Sequence, residues 1–221
     1  MRYKAKERYK NLAGEVIPSV TTALNELSKP ALVPWANRLG LDGIDLNRYK
    51  DALADVGTLT HHLIVCRVTD ELPEVDEFTP EQLSLAEGCF KKYLEWEQKN
   101  PVTCVFAEKP LISERYQYGG TPDLYAICNG RLMLVDFKTS ASGIFTDMFY
   151  QVAAYRQLLL EDNCGVDGVS ILRLGRGTQE GAEEKILTSY ELDNGFEIFI
   201  RCLDIYRLKR GNVSVCTRDC T

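Results

Sequence analysis

The sequence lacks the two features that send a chain into a membrane or out of the cell. No run of apolar residues approaches the roughly 20 that a membrane-spanning helix needs, so we expect no membrane partner. The opening segment, MRYKAKERYKN, has no apolar core and does not fit a secretory signal. We therefore expect a cytoplasmic protein.

Pairs of cysteines in a CxxC arrangement are also missing. The chain has eight cysteines, and in a reducing cytoplasm we expect them to be free thiols. Cys216 and Cys220 are close in sequence, but no second close pair accompanies them, so the pattern does not favour a structural zinc or iron–sulfur site. The 221 residues contain no repeat, low-complexity segment or convincing linker, which indicates one domain.

An excess of positive charge is absent as well. The net charge of -6 argues against a generally basic surface, but a local cationic groove can still bind nucleic acid on an acidic protein. Two places could contribute to such a groove, namely Arg38 on a short helix and the segment 173–177 at the end of a strand. The simpler interpretation of the helix that carries Arg38 is a packed helical pair, and that of the segment 173–177 is a solvated turn.

The spacing of apolar residues divides the chain into a helical first part and a mixed second part. The first predicted helix begins after a cap at Ser19 or Thr21 and ends at about residue 27. Further helices are predicted at 31–39, 49–68, 80–99 and 146–161. The last predicted helix begins at an Asp193-Asn194 cap and ends at about residue 210. Strands are predicted at 102–108, 111–118, 165–174 and 185–192, with a turn at 119–122. This order predicts an α/β fold built on a mixed central sheet.

The stretch GGTPDLYAICNGRLMLVDFK, residues 119–138, predicts a β-hairpin with two carboxylates at its open end. Asn129-Gly130 tolerates the positive φ of a type I′ turn, and a two-residue loop there places Asp123 opposite Asp136. Like charges directly opposite each other destabilise a sheet, and a divalent cation bound by both carboxylates would offset the repulsion. Lys138 lies two residues beyond Asp136 and therefore on the same face.

His61, in the third predicted helix, is a candidate for a further metal ligand. Gly57 lies one turn earlier on the same side, and because a glycine inside a helix costs roughly 1 kcal/mol, it indicates a close approach by another segment. His62 points elsewhere and is interpreted as a structural histidine. Glu108 and Glu114 are further candidates for contact with the metal or its water, and the alternative for both is an exposed strand position.

Four motifs occur in a fixed order along the chain: Gly57-Thr58-x-x-His61, Pro122-Asp123, Asp136-Phe137-Lys138 and Gln151-x-x-x-Tyr155. Together they resemble the PD-(D/E)xK nuclease superfamily, in particular its RecB-like exonuclease branch. The segment PSVTTALNELSKPALVPWANRLG is similar to the start of phage and prophage members of that branch. The resemblance spans roughly residues 16–160, and its specificity comes from the combination, since PD and DxK alone are short.

The resemblance implies a restriction-endonuclease-like core and a single nuclease domain over 1–221. Residues 1–100 would form a mainly helical elaboration that carries His61, and 101–210 would form the nuclease core. The implied activity is metal-dependent exonuclease cleavage of linear DNA during phage or prophage recombination or replication. The implied partners are DNA and a phage recombination or replication protein, in the cytoplasm of a bacterial host.

The candidate ligands suit Mg²⁺ or Mn²⁺, the ions of two-metal phosphodiester hydrolysis. Asp123 and Asp136 would bind the metal through oxygen. His61 would complete one site, and because imidazole suits Mn²⁺ better than Mg²⁺, Mn²⁺ is expected to be the preferred ion in vitro. The resemblance adds the backbone carbonyl of Phe137 as a ligand, and Glu108 is an additional candidate.

Three further residues have expected catalytic roles. Lys138 would orient or deprotonate the attacking water, or neutralise charge in the transition state. By the resemblance, Gln151 and Tyr155 would line the groove, where they would bind the nucleic-acid backbone or position Lys138.

Other functions remain open at this stage. A structure-specific DNA endonuclease of flap or junction type could use the same core. A catalytically silent DNA-binding protein could retain only the fold, although Asp123, Asp136, Lys138 and His61 are all present. A plain ligand-binding domain would leave the opposed carboxylates without a reason.

Overall fold

The computed structural model describes residues 8–30, 32–141, 143–177 and 179–211. The helices are α1 (Val20–Leu24), α2 (Leu32–Leu41), α3 (Leu46–Thr69), α4 (Pro80–Lys99), α5 (Thr146–Glu161) and α6 (Ser189–Lys209). The strands are β1 (Val102–Ala107), β2 (Leu111–Ser113), β3 (Tyr118–Gly120), β4 (Leu124–Cys128), β5 (Arg131–Lys138), β6 (Gly168–Leu174) and β7 (Ala182–Ile186).

The central sheet is mixed, as expected. Its five strands lie in the order β1-β4-β5-β6-β7. Only the central pair, β5 and β6, is parallel, and α5 connects these two strands as a crossover requires. The neighbours on either side are antiparallel. The expected α/β architecture, with helices flanking a mixed sheet, is therefore confirmed.

The helices cover both faces of the sheet. On one face, Leu134 and Ile171 pack in a buried cluster with Phe199 of α6. On the other face, Val135 and Leu172 belong to a second cluster formed with α3 and α4. Because successive strand residues point to opposite faces, the alternation along β5 places Asp136 and Lys138 on the α5 side.

The early helices differ from the prediction. The first helix ends at Leu24, and Gly40, predicted to end the second, lies inside α2. No residue of α2 is fully buried. Trp35 is half-buried and contacts Tyr49 of α3, with ring centroids 6.2 Å apart. Ala31, the predicted start of this helix, lies outside the described residues.

The predicted strand 111–118 is two short strands. β2 and β3 form a separate antiparallel sheet, connected by a turn in which Gln117 has a φ of 51°. Gly119 and Gly120, predicted as a turn, belong to β3, and both are crowded. A Cβ on Gly119 would lie 2.3 Å from the Tyr9 ring, and one on Gly120 would lie 2.6 Å from Tyr155.

The predicted return strand exists and pairs with β6, but it lies earlier in the chain than predicted; the predicted last cap is wrong. β7 ends at Ile186, and Thr188 caps α6 with a capping box completed by Glu191. The spacing Thr-x-x-Glu is the sequence signal for this start. Asp193 and Asn194, predicted as the cap, lie inside α6 and are exposed.

The cysteines that the structure describes are all free. Cys66, Cys89, Cys128 and Cys202 are buried, whereas Cys104 and Cys164 are half-buried. Cys216 and Cys220 lie outside the described residues. Among the helices described, none has both the length and the apolar character needed to cross a membrane.

The start of α6 gives a direct test of the fold. We expect Thr188→Ala to lower the free energy of unfolding by about 1 kcal/mol, because the side chain accepts a hydrogen bond from the amide of Glu191. The matched variant Asn194→Ala replaces an exposed residue inside the helix and should be neutral or stabilising by a few tenths of a kcal/mol. Urea unfolding of both variants measures the difference, and the reverse order would place the cap at Asn194.

Candidate functional site

The turn of the β4–β5 hairpin determines where the two carboxylates lie. Asn129 and Gly130 have φ values of 51° and 77°, as a type I′ turn requires. The strands pair in the predicted register, with Leu124 opposite Val135. The next position of the same register places Asp123 opposite Asp136, and the amide of Phe137 donates a 2.8 Å hydrogen bond to Asp123 Oδ2.

Asp136 is the most constrained group of the site. Its exposed fraction is 0 %. Neither carboxylate oxygen has a hydrogen bond of normal geometry among the described residues, and only Oδ2 is offset by an ion pair, with Lys138 Nζ. A buried carboxylate oxygen without a partner is costly, so Oδ1 indicates a ligand-binding position.

His61 brings α3 to the hairpin. Its Nε2 donates to the carbonyl of Phe137 at 3.1 Å, and its Nδ1 lies 3.5 Å from Asp123 Oδ1. Gly57, one turn earlier, allows this approach, because a Cβ there would lie 3.1 Å from Thr139 Oγ1. His62 has a structural role, since its Nε2 accepts a hydrogen bond from the amide of Glu74 at 3.1 Å.

Burial and mutual charge determine how these groups titrate. Burial raises the pKa of Asp136, the Lys138 cation opposes this, and the Asp123 carboxylate adds to it, with a net pKa of about 6. For Asp123, burial is outweighed by His61 and Lys138, so its pKa is lowered. For His61 and Lys138, burial alone would lower the pKa, but the carboxylates outweigh it and raise both values.

Gln151 and Tyr155 lie on α5, on the same side of the sheet as Asp136. Gln151 Nε2 donates to Tyr155 Oη at 3.0 Å. Burial raises the pKa of Tyr155 strongly, and the charges of Asp136 and Asp123 raise it further. Tyr155 is therefore a neutral phenol close to the carboxylate pair.

A cavity of about 940 Å³ opens beside this centre, and its lining includes His61 and Asp123. Glu108 also lines it, and the Glu108 amide donates a 3.1 Å hydrogen bond to the Asp123 carbonyl. Tyr9 forms part of the wall, where its Oη lies 2.7 Å from Thr121 Oγ1. The sequence reasoning missed Tyr9, although the crowded Gly119-Gly120 pair was a signal for close packing there.

Three predicted contributors do not join the hairpin's carboxylates. Glu114 is at the β2–β3 turn, where its carboxylate accepts from the Leu12 amide at 2.7 Å, so it does not reach the hairpin's carboxylates. Arg173 does not form a basic edge, because its guanidinium pairs with Glu183 at 2.9 Å and with Glu180 at 3.7 Å. Arg38 is exposed on α2.

The donor set has the chemistry that binds a divalent cation. His61 Nε2 and the Phe137 carbonyl now share a hydrogen bond of 3.1 Å, so a bound cation would replace the proton between them. Asp136 Oδ1 and the Asp123 carboxylate would add oxygen ligands. Among the described residues, no group of three His, Cys, Asp or Glu side chains is already arranged around a common point, so binding requires side-chain adjustment.

Comparison with known proteins gives a likeness in fold. No protein-family model and no curated protein sequence match the chain. Among solved structures, the crystal structure of a "Putative exonuclease" from Eubacterium rectale matches with a TM-score of 0.51. The match has 13% sequence identity and covers 72% of this chain and 69% of that chain. The shared property is the fold.

The titration of the centre predicts how metal affinity depends on pH. A bound ion must displace the proton that Asp136 holds below a pKa of about 6 and the proton of His61, whose pKa is also raised. Mn²⁺ affinity, measured by isothermal titration calorimetry, should therefore rise from pH 5 to pH 8, by up to ~100-fold per pH unit where both protons are released. In Asp136→Asn, Mn²⁺ should bind more weakly, and its affinity should rise less steeply with pH. Equal affinity at pH 5 and pH 8 would contradict this centre.

Proposed function

We propose that the protein is a divalent-metal-dependent deoxyribonuclease that degrades linear DNA from an end. The observation that supports this best is the fully buried Asp136, whose Oδ1 has no partner, placed opposite Asp123 and beside His61. A carboxylate pair with an adjacent lysine is a suitable set for phosphodiester hydrolysis with Mg²⁺ or Mn²⁺. The name of the structural neighbour agrees with this proposal.

The metal would be held by Asp123, Asp136, His61 and the carbonyl of Phe137, with Glu108 lining the adjoining cavity. When bound, it would neutralise charge on the phosphate and lower the pKa of a water molecule. Asp123 is ready for this role, since its pKa is lowered and it stays ionised. Asp136 becomes a full ligand once its proton is lost.

Lys138 acts as a cation in this proposal. Its pKa is raised by the carboxylates of Asp136 and Asp123, so at neutral pH it donates hydrogen bonds and cannot accept a proton. This favours orienting the attacking water or stabilising phosphate charge over deprotonating the water. Because its side chain is only 20% exposed, the charge acts with little screening by solvent.

Tyr155 and Gln151 would orient the groups around the reacting phosphate. The Tyr155 hydroxyl accepts from Gln151, which leaves its own proton available to a carboxylate or a phosphate oxygen. Since its pKa is strongly raised, Tyr155 keeps that proton throughout the reaction.

The wider setting rests on the sequence resemblance. The similarity of the segment after residue 16 to phage and prophage exonucleases supports a role in phage recombination or replication, with a protein of those pathways as a partner. The large cavity beside Asp123 is walled by the segment around Tyr9 and by the α3–α4 connection. It would admit a DNA end once a bound cation offsets its acidic lining.

Cleavage assays test the proposed activity. End-labelled linear DNA and closed circular DNA are incubated with Mg²⁺, Mn²⁺ or EDTA. We expect degradation of linear DNA only, in the presence of a metal. Asp136→Asn and Lys138→Gln should reduce the rate by at least 10²-fold, because each removes a charge at the reacting phosphate.

The controls separate loss of chemistry from loss of fold. Lys99→Gln makes the same charge change as Lys138→Gln at an exposed position of α4 and should cleave like the unmodified protein. Circular dichroism should show that all variants fold. Nicking of circular DNA would indicate an endonuclease in place of an exonuclease. A folded protein that cleaves no DNA with any metal would contradict the proposal that it is an enzyme.

A further inference from the structure

A second, smaller cavity lies between α3 and the loop that follows β5. Its volume is about 360 Å³, and it is lined by Lys50, Leu53 and Ala54 of α3, by Lys138 and the two residues after it, and by Arg176. It shares no lining residue with the large cavity. Lys138 connects the groove to the carboxylates, since its ammonium group pairs with Asp136.

The charge of this groove departs from that of the whole protein. The net charge is -6, yet the groove lining contains three cationic residues and no carboxylate. Among the residues described, neither Lys50 nor Arg176 takes part in an ion pair or side-chain hydrogen bond. Nearby Arg173, in contrast, is paired with Glu183, and Lys138 is paired with Asp136, so Lys50 and Arg176 carry the uncompensated charge of the groove.

The large cavity has the opposite character. Glu74, Asp76 and Glu77 line it together with Glu108 and Asp123, so without a bound cation it repels phosphate. The two cavities therefore differ in the sign of their charged lining, and each is lined by a different part of the candidate centre: His61 and Asp123 line the large one, and Lys138 lines the groove. A polyanion is held more favourably on the side of Lys50 and Arg176.

We propose that the groove lined by Lys50, Lys138 and Arg176 binds the phosphodiester backbone of the nucleic-acid strand next to the bond that is cleaved. The inference rests on the proposed nuclease function and adds the position of the strand next to the cleaved bond. An arginine fork can bind a phosphate through two parallel hydrogen bonds, and a lysine acts as a point charge. Lys138 would then interact with the phosphate nearest to the carboxylates.

The test is equilibrium binding in EDTA, where the strand is not cleaved. Fluorescence anisotropy is measured with labelled single-stranded and double-stranded 20-mers over a range of salt concentrations. Lys50→Gln and Arg176→Gln should each weaken binding by about threefold or more at low salt, and the double variant by about tenfold. Each lost contact should reduce the slope of log affinity against log salt by about 0.7 for a single strand or 0.9 for a duplex.

The matched control is Lys99→Gln, which changes the net charge equally at an exposed position of α4 outside the groove. It should leave both the affinity and the salt slope unchanged. The probe whose slope falls in the double variant identifies the bound form of the strand. Unchanged binding of both probes by the double variant, or a loss equal to that of Lys99→Gln, would overturn the groove assignment.

The cleavage assay makes the two proposals separable. If the protein cleaves DNA and the double variant binds as well as the unmodified protein, the groove assignment is contradicted and the nuclease proposal stands. If binding depends on the groove but no metal supports cleavage, the nuclease proposal is contradicted and the groove remains a nucleic-acid site.

Discussion

The structure of the candidate site depends on the burial of Asp136 opposite Asp123. With no exposed surface, the Asp136 carboxylate is costly to ionise, which raises its pKa to about 6 even beside the Lys138 cation. The two-residue turn at Asn129-Gly130 maintains this opposition, because it determines the register of both strands. His61 on one side and α5 on the other surround the two carboxylates, whose positions are set by the hairpin.

Local rules account for much of the fold. The type I′ turn, the capping box that begins α4 and the apolar spacing of α5 each depend on a few neighbouring residues, and the structure agrees with all three. The prediction was wrong where distant contacts decide. Gly119 and Gly120 resemble a turn, but they are glycines because Tyr9 and Tyr155 occupy the space of a side chain. At α6 the local signal, Thr188 with Glu191, was present and was missed.

The site could be predicted in part for the same reason. Turn geometry and strand period place Asp123, Asp136 and Lys138 together, whereas the approach of His61 depends on how α3 packs on the sheet. Glu114 could not be located, because a reversal of the chain after Ser113 carries it away from the hairpin. Arg176 belongs to the segment 173–177, which the sequence offers as part of a cationic groove, but no local pattern relates it to Lys50, which is far away in the chain.

Anomalous X-ray scattering from crystals of the protein grown with Mn²⁺ tests the central claim most directly. The expected result is an anomalous peak within about 2.0–2.3 Å of carboxylate oxygens of Asp123 and Asp136, with the Phe137 carbonyl and His61 as further ligands. Crystals grown with EDTA are the control and should show no peak. A Mn²⁺ peak only at the acidic wall around Asp76, or none at saturating Mn²⁺, would contradict a metal centre at the hairpin.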